Sequence, residues 1–203
     1  MSEAALGVIL AGGRSSRYGA PKALARIGGE RLVDRVRRAL ASVVDAIIVS
    51  ANDPALAAAI GLPWQADELA DAGGLAGIHA GLGVAAAQGR RGILAVACDM
   101  PFLSPSLLAE LAVPWPADVV IPESDGRRGV EPMCAFYGVA CRAAIEAAVA
   151  RDDRRMIAFH DAVRVRRLPL EDVRRHGDPG LLFMNVNTPA DAATAERVIA
   201  TLA

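Results

Sequence analysis

Asp99 follows a nearly unbroken apolar run over 92–97, the composition of a central parallel strand, and sits in the segment Cys98-Asp99-Met100-Pro101. An ionised carboxylate taken out of water there costs several kcal/mol unless something compensates it. Two readings account for it: a hard cation such as Mg²⁺ bound by Asp99, or a turn in which Asp99 accepts backbone N–H groups ahead of Pro101. A second chemical stretch lies near the start, Gly7-Val8-Ile9-Leu10-Ala11-Gly12-Gly13-Arg14-Ser15-Ser16-Arg17-Tyr18-Gly19-Ala20-Pro21-Lys22. A short branched apolar run breaks into a glycine pair, so a buried strand opens into a loop. Gly12, Gly13 and Gly19 let backbone approach a ligand closely, and Arg17 and Lys22 add two cations beside the exposed N–H groups. Such a loop suits a polyphosphate, with Lys22 able to reach a leaving pyrophosphate; a tight turn followed by an exposed lysine is the bland alternative. Neither the GxxxxGK[ST] of a P-loop nor the GxGxxG of a dinucleotide fold is present there.

Asp67 lies beyond an expected short strand, where it hydrogen-bonds a base or ribose or simply caps a turn. Asn185 and Asn187 flank the end of an expected last strand over 181–186; asparagine is uncommon in strands, so Asn185 needs a partner if buried, while Asn187 suits a turn. The arginine pairs 127/128, 154/155, 166/167 and 174/175 read as solvated faces, with one or two able to hold a second anion. His79, His160 and His176 have no metal-ligand spacing, which argues against zinc. Cys98, Cys134 and Cys141 are an odd number without CxxC spacing and read as small buried hydrophobes.

These groups need a frame to bring them together. At 203 residues the chain fits one domain, and 53% hydrophobic residues with only 4% aromatics suit a buried sheet covered by alanine-rich helices. A net charge of −1 excludes an overall basic surface for nucleic acid or acidic membranes. The start of the chain has no basic flank and no stretch approaches a spanning helix, so the expected location is the cytoplasm. Gly28-Gly29 marks a turn, and Leu32, Val33, Val36, Leu40 and Val43 recur at helical spacing. Strands are expected over 46–50 and 62–66. Between them Asp53 caps a helix that has Pro54 at its first position and ends at Gly61. Residues 75–86 form another helix, whose Gly77, Gly81 and Gly83 are explained by close packing. After 92–97 come a helix at Ser104-Pro105 and a strand over 117–122. Strand and helix alternate with short connections, which favours a doubly wound parallel sheet with ligands at the carboxyl ends of its strands. After Pro122 the rhythm changes: a turn at Asp125-Gly126, a strand over 131–137, a helix over 140–150, a short helix over 154–160, a basic strand over 163–168, and a terminal helix opened by Thr188 to Asp191 in the manner of a capping box.

Leu10-Ala11-Gly12-Gly13-Arg14-Ser15-Ser16-Arg17, Lys22, Gly74-Leu75-Ala76-Gly77-Ile78, Cys98-Asp99-Met100-Pro101-Phe102-Leu103 and Asn185-Val186-Asn187-Thr188-Pro189 together resemble the ordered motifs of the molybdenum cofactor guanylyltransferases. The resemblance runs over nearly the whole chain; its opening is common to many nucleotidyltransferases, and the later motifs are the more specific. It implies a three-layer, Rossmann-like, doubly wound α/β fold whose sheet is mostly parallel with a small antiparallel portion in the C-terminal half. The single domain 1–203 would comprise a nucleotide-binding half, 1–122, and an acceptor-binding half, 123–203. The implied activity is Mg²⁺-dependent transfer of GMP from GTP to the phosphate of molybdenum-molybdopterin. Arg17, Lys22 and Asp99 would be catalytic, with the metal on Asp99; Leu10, Ala11, Gly12, Gly13, Lys22, Ser50, Asp67 and Asp99 would bind nucleotide, and Asn185 and Asn187 the acceptor. Molybdoenzyme apoproteins or their chaperones would be partners. Ser50 stands where the family carries asparagine, with Asn52 nearby, Tyr18 and Pro21 replace its usual methionine and aspartate, and Gly74 replaces a proline. Ser50 leaves GTP and CTP both open, so a molybdopterin cytidylyltransferase and a sugar-1-phosphate nucleotidyltransferase are the enzymatic alternatives. A non-catalytic nucleotide or cofactor carrier is the alternative outside enzymes.

Overall fold

The apolar run at the start forms strand β1, Leu6–Leu10, with every residue buried. The computed structural model describes residues 4–12 and 21–202, so the expectations for Gly13 and Arg17 fall outside the described residues. A 3₁₀ turn at Lys22–Leu24 leads into a hairpin of β2 (Arg26–Ile27) and β3 (Glu30–Arg31). Its two-residue turn, Gly28-Gly29, has positive φ at both positions, 56° and 75°, the conformation that suits strand twist and that glycine adopts without strain. Then follow α1 (Leu32–Ala41), β4 (Ile47–Ser50), α2 (Pro54–Ile60), β5 (Trp64–Gln65), α3 (Gly74–Ala87), β6 (Gly92–Ala97), α4 (Pro105–Leu111) and β7 (Val119–Pro122). The remainder is β8 (Cys134–Gly138), α5 (Cys141–Ala150), β9 (Val165–Leu168), α6 (Leu170–Arg174), α7 (Pro179–Leu182) and α8 (Pro189–Leu202).

Seven strands form one sheet in the order β5-β4-β1-β6-β8-β7-β9. The register runs Gly7 to Ile47 and Leu10 to Ser50 on one side of β1, and Leu6 to Ile93 and Leu10 to Ala97 on the other. β8 is antiparallel to both β6 and β7, and β9 returns parallel to β7. The expected mostly parallel sheet with its antiparallel portion in the C-terminal half is therefore present, and β8 alone runs against the rest. Alternation along the strands splits the core. Ile9, Leu94 and Val120 face α1, α4 and α6, whereas Val8, Ile93 and Val119 face α3 and α5. Two helical layers thus sandwich the sheet. The glycines of α3 have the expected cause at two positions: a Cβ would lie 2.9 Å from Leu10 and Ser50 at Gly77, and 2.9 Å from Val8 at Gly81. α3 lies directly on β1.

Local signals mostly hold. Asp53 accepts from Ala55 N–H at 2.9 Å at the start of α2, and Gly61 ends that helix with φ 76°. Asp191 accepts from Thr188 N–H at 2.8 Å while Thr188 Oγ1 accepts from Asp191 N–H at 3.2 Å, the reciprocal pair expected at the start of α8. Two expectations are corrected. Residues 181–186 do not form a strand: Asp178 caps a short helix by accepting from Gly180 N–H, Pro179 starts it, and the place beside β6 is taken by β8. The Val186 N–H instead donates to the Asp99 carbonyl at 2.9 Å. No α-helix forms over 154–160: residues 156–159 are turns, followed by a 3₁₀ turn at His160–Ala162.

Candidate active site

The strand order reverses at β1. Its chain continuation leads to β4 and β5 on one side, and β6 occupies the other, so the loops after β1 and β6 part at a crevice at the carboxyl edge. Backbone bonds extend the ladders past the strand ends and hold this edge. Cys98 N–H donates to Leu10 O at 3.1 Å, Ala11 N–H to Ser50 O at 2.9 Å, and Ala51 N–H to Gln65 O at 3.2 Å. Leu10, Ala11 and Gly12 are thereby fixed beside Asp99, Ser50 and the chain that leads to Asp67.

Asp99 is 7% exposed. Its Oδ2 accepts from Lys22 Nζ at 2.6 Å, and the same ammonium donates to Asn187 Oδ1. Three segments far apart in the chain therefore meet at one cation. Asn187 is held there because its N–H is bound to Asp191 Oδ2 at 2.9 Å, and Val186 is tied to the Asp99 backbone. Asn185 is half-buried and donates to Phe183 O at 3.0 Å, so it braces the turn beside Asn187. Cys98, next to Asp99, has its thiol pushed up to about 12 by burial and by that carboxylate, which leaves it protonated and inert. All three cysteines are free and buried, as expected.

A second carboxylate is held differently. Asp67 Oδ1 accepts from Ser50 Oγ at 2.8 Å, and Oδ2 accepts from Asn52 Nδ2 at 2.8 Å, while Asp67 N–H donates to Asn52 Oδ1 at 2.9 Å. Ser50 is 1% exposed, and its hydroxyl has room because Gly77 stands over it. Gly12 borders the same group, since a Cβ there would lie 3.3 Å from Asp67 Oδ2. Asn52 is the member that sequence reasoning noted beside Ser50 but assigned no role. Its position two residues beyond β4, on the edge where ligands gather, was the available signal.

On the other side of β6, Ala97 N–H donates to Met133 O at 2.8 Å, and Glu131 Oε1 accepts from Met133 N–H at 3.0 Å. Burial, aided by the nearby charge of Asp99, moves the Glu131 carboxyl above the usual carboxylate range. Arg154 donates to Asp71 O at 3.2 Å, and Gly74 leaves the space that Met156 fills. The histidines lie apart from this edge in their bonding: His79 contacts Glu146 at 2.7 Å and His176 contacts Glu110 at 2.7 Å. His160 is pushed down to about 4 by burial.

One buried carboxylate at the carboxyl edge of the sheet fits a small hard cation, which is commonly bound by one or two carboxylates and completed by substrate phosphates. The Asp99 carboxylate already faces a cation in Lys22, so its surroundings accommodate positive charge. Among the described residues there is no cluster of three or more metal-ligating side chains.

A family model described as "MobA-like NTP transferase domain" matches residues 7–165. A probable molybdenum cofactor guanylyltransferase of Pelotomaculum thermopropionicum is 38% identical over 198 residues, covering 97% of this chain and 93% of the relative. A molybdenum cofactor guanylyltransferase of Rhodobacter capsulatus is 38% identical over 193 residues, covering 94% of each. Among solved structures, the molybdopterin-guanine dinucleotide biosynthesis protein A of Archaeoglobus fulgidus superposes with a TM-score of 0.79 at 25% identity, covering 97% of this chain and 99% of that one. Sequence likeness over nearly full length and a shared fold thus agree: the chain belongs to the molybdenum cofactor guanylyltransferase family, nucleotidyltransferases built on the MobA-like NTP transferase domain.

Proposed function

We propose that the protein transfers GMP from GTP to the terminal phosphate of molybdenum-molybdopterin. An acceptor phosphate oxygen attacks the α-phosphorus in line, the bond from that phosphorus to the β-phosphate bridging oxygen breaks, pyrophosphate leaves, and a new diphosphate link joins the two moieties. The observation that carries this reading is the meeting of Lys22, buried Asp99 and Asn187 at the crevice beside β1. Asp99 would hold the divalent ion, taken to be Mg²⁺; when bound, the ion neutralises charge on the phosphates. Lys22, with three donors on a flexible stem, moves from Asp99 onto the leaving pyrophosphate. Backbone at Leu10, Ala11 and Gly12 borders the phosphates, and Gly13 and Arg17 join this set on sequence alone. A phosphate nucleophile is already ionised near neutral pH, so no general base is needed, and none of the histidines is assigned one.

Asp67 would accept from donors of the nucleoside. Each carboxylate oxygen has a lone pair beyond the bond it makes to Ser50 or Asn52, and the pair of bonds fixes its orientation. Residues 1–122 serve the nucleotide and 123–203 the acceptor, with Asn187 beside the reacting groups and Asn185 supporting it. Among the described residues no helix is long and apolar enough to cross a membrane. The cytoplasm is the proposed setting, where three free buried cysteines stay reduced. Molybdoenzyme apoproteins or their chaperones would take the product.

The test is incubation of the protein with molybdenum-molybdopterin, Mg²⁺ and GTP, CTP or UTP in turn, measuring pyrophosphate and the new dinucleotide. Formation of the guanine dinucleotide with GTP is expected. Product from CTP alone would transfer the assignment to cytidylyl transfer, and binding without pyrophosphate would leave only a carrier.

A further inference from the structure

The segment between β7 and β8 is a hairpin of its own. Glu123 bridges Val130, Ser124 N–H donates to Gly129 O at 3.1 Å, and Glu131 N–H donates to Pro122 O at 3.0 Å. With Ser124, Arg127, Arg128 and Glu131 it walls an open cleft of about 490 Å³. Arg127 and Arg128 are exposed and make no hydrogen bond or ion pair to another described residue. Arg154, Arg155, Arg164, Arg174 and Arg175 are each paired with an aspartate. Two neighbouring guanidinium groups left unpaired along a cleft form a ready receptor for an anion.

The cleft's place gives that anion a role. It opens at the carboxyl end of β7, and Glu131 at its floor is close enough to Asp99 and Arg128 to feel both charges. The sheet sets it across β6 from Ser50 and Asp67. An in-line displacement needs the entering and leaving oxygens on opposite sides of the phosphorus. With pyrophosphate leaving along the loop after β1, the entering group comes from the β8 and β7 side.

We infer that the 124–131 cleft is an anion subsite that receives the phosphate-bearing end of the acceptor, with Arg127 and Arg128 as its binding residues. This rests on the transferase reading above and assigns its second substrate a seat. Glu131 supports the subsite by accepting from the Met133 N–H at 3.0 Å, which ties this wall of the cleft to the segment entering β8.

The experiment compares the wild type with the double variants R127A/R128A and R127K/R128K. Molybdenum-molybdopterin binding is followed by pterin fluorescence, and GTP binding with Mg²⁺ by calorimetry. The alanine pair is expected to weaken acceptor binding roughly 10- to 100-fold, the range for losing charge-assisted hydrogen bonds. It should also flatten the salt dependence of that binding and leave GTP affinity where it was, with the lysine pair recovering part of the loss. Acceptor affinity equal to wild type in the alanine pair would overturn the subsite. A fall in GTP affinity of the same size would overturn it too, by giving the arginines to the nucleotide. If the wild type itself takes no molybdenum-molybdopterin, the acceptor reading fails first, and this seat with it.

Discussion

Asp67 and Asp99 stand on the same sheet edge and are held by opposite means. Asp67 is gripped through both oxygens by neutral donors, the Ser50 hydroxyl and the Asn52 amide, with Asn52 closing a ring onto its backbone. Asp99 is the more buried, and its Oδ2 accepts from the ammonium of Lys22. A carboxylate fixed by neutral donors keeps its orientation, so it suits the reading of N–H and O–H groups. A buried carboxylate matched by an ammonium is poised to exchange one cation for another. Under the proposed function, that difference would separate nucleotide recognition at Asp67 from catalysis at Asp99.

Substitution at Asp99 should break that separation most severely. Asp99→Asn keeps the shape and removes the charge, and turnover is expected to fall roughly 10³-fold or more, beyond the loss of a single preorganised donor. Mn²⁺ affinity measured by electron paramagnetic resonance should fall with it. Turnover within tenfold of wild type, at any metal concentration, would remove Asp99 from the chemistry.

Lys22→Ala sharpens the contrast. Turnover is expected to drop roughly 10²- to 10³-fold, the range for losing one preorganised donor. The diagnostic readout is thermal. Without divalent ion the variant leaves a buried carboxylate uncompensated and should lose about 1–3 kcal/mol of stability. Adding Mg²⁺ should then raise its Tm by more than it raises that of the wild type, because the ion no longer displaces an ammonium. Equal Mg²⁺-induced shifts in the two proteins would show that Lys22 and the metal do not share Asp99.

Much of this was legible in the residues. The alternation of apolar runs and amphipathic stretches up to Pro122 specified the parallel half, because a buried strand such as 92–97 and a helix such as 75–86 differ in length and glycine content. Gly77 and Gly81 announced close packing, and Asp53-Pro54 and Thr188 to Asp191 announced helix starts, since capping is local chemistry. The strand expected over 181–186 failed because an apolar run of that length suits a buried turn as well as a strand, and only the sheet order decides. The meeting of Lys22 with Asn187, 165 positions apart, leaves no periodic trace at all. Asn52 was passed over for a related reason: its value comes from lying opposite Asp67, which the turn residues around it do not disclose.

The mildest test falls on the neutral grip itself. Ser50→Ala removes one of the two side-chain donors on Asp67, leaving Oδ1 without that bond while Asn52 still holds Oδ2. A hydrogen bond to a charged group contributes about 1.5–3 kcal/mol, so nucleotide binding should weaken roughly 10- to 100-fold, with the loss mainly in nucleotide KM. Ser50→Asn brings in the family's usual residue and probes the crowding from α3. Its larger side chain must fit beneath Gly77, where a Cβ would already lie 2.9 Å from the Ser50 hydroxyl. Comparison of GTP with CTP in the two variants then tells whether Asp67 reads the base or the ribose. A change in the GTP to CTP ratio assigns it the base, because ribose donors are common to both nucleotides. A uniform loss assigns it the ribose and leaves base choice to other groups. If neither variant alters nucleotide KM, Asp67 has no part in recognition, and its hydrogen-bonded ring serves only to fasten the loop after β5 to the end of β4.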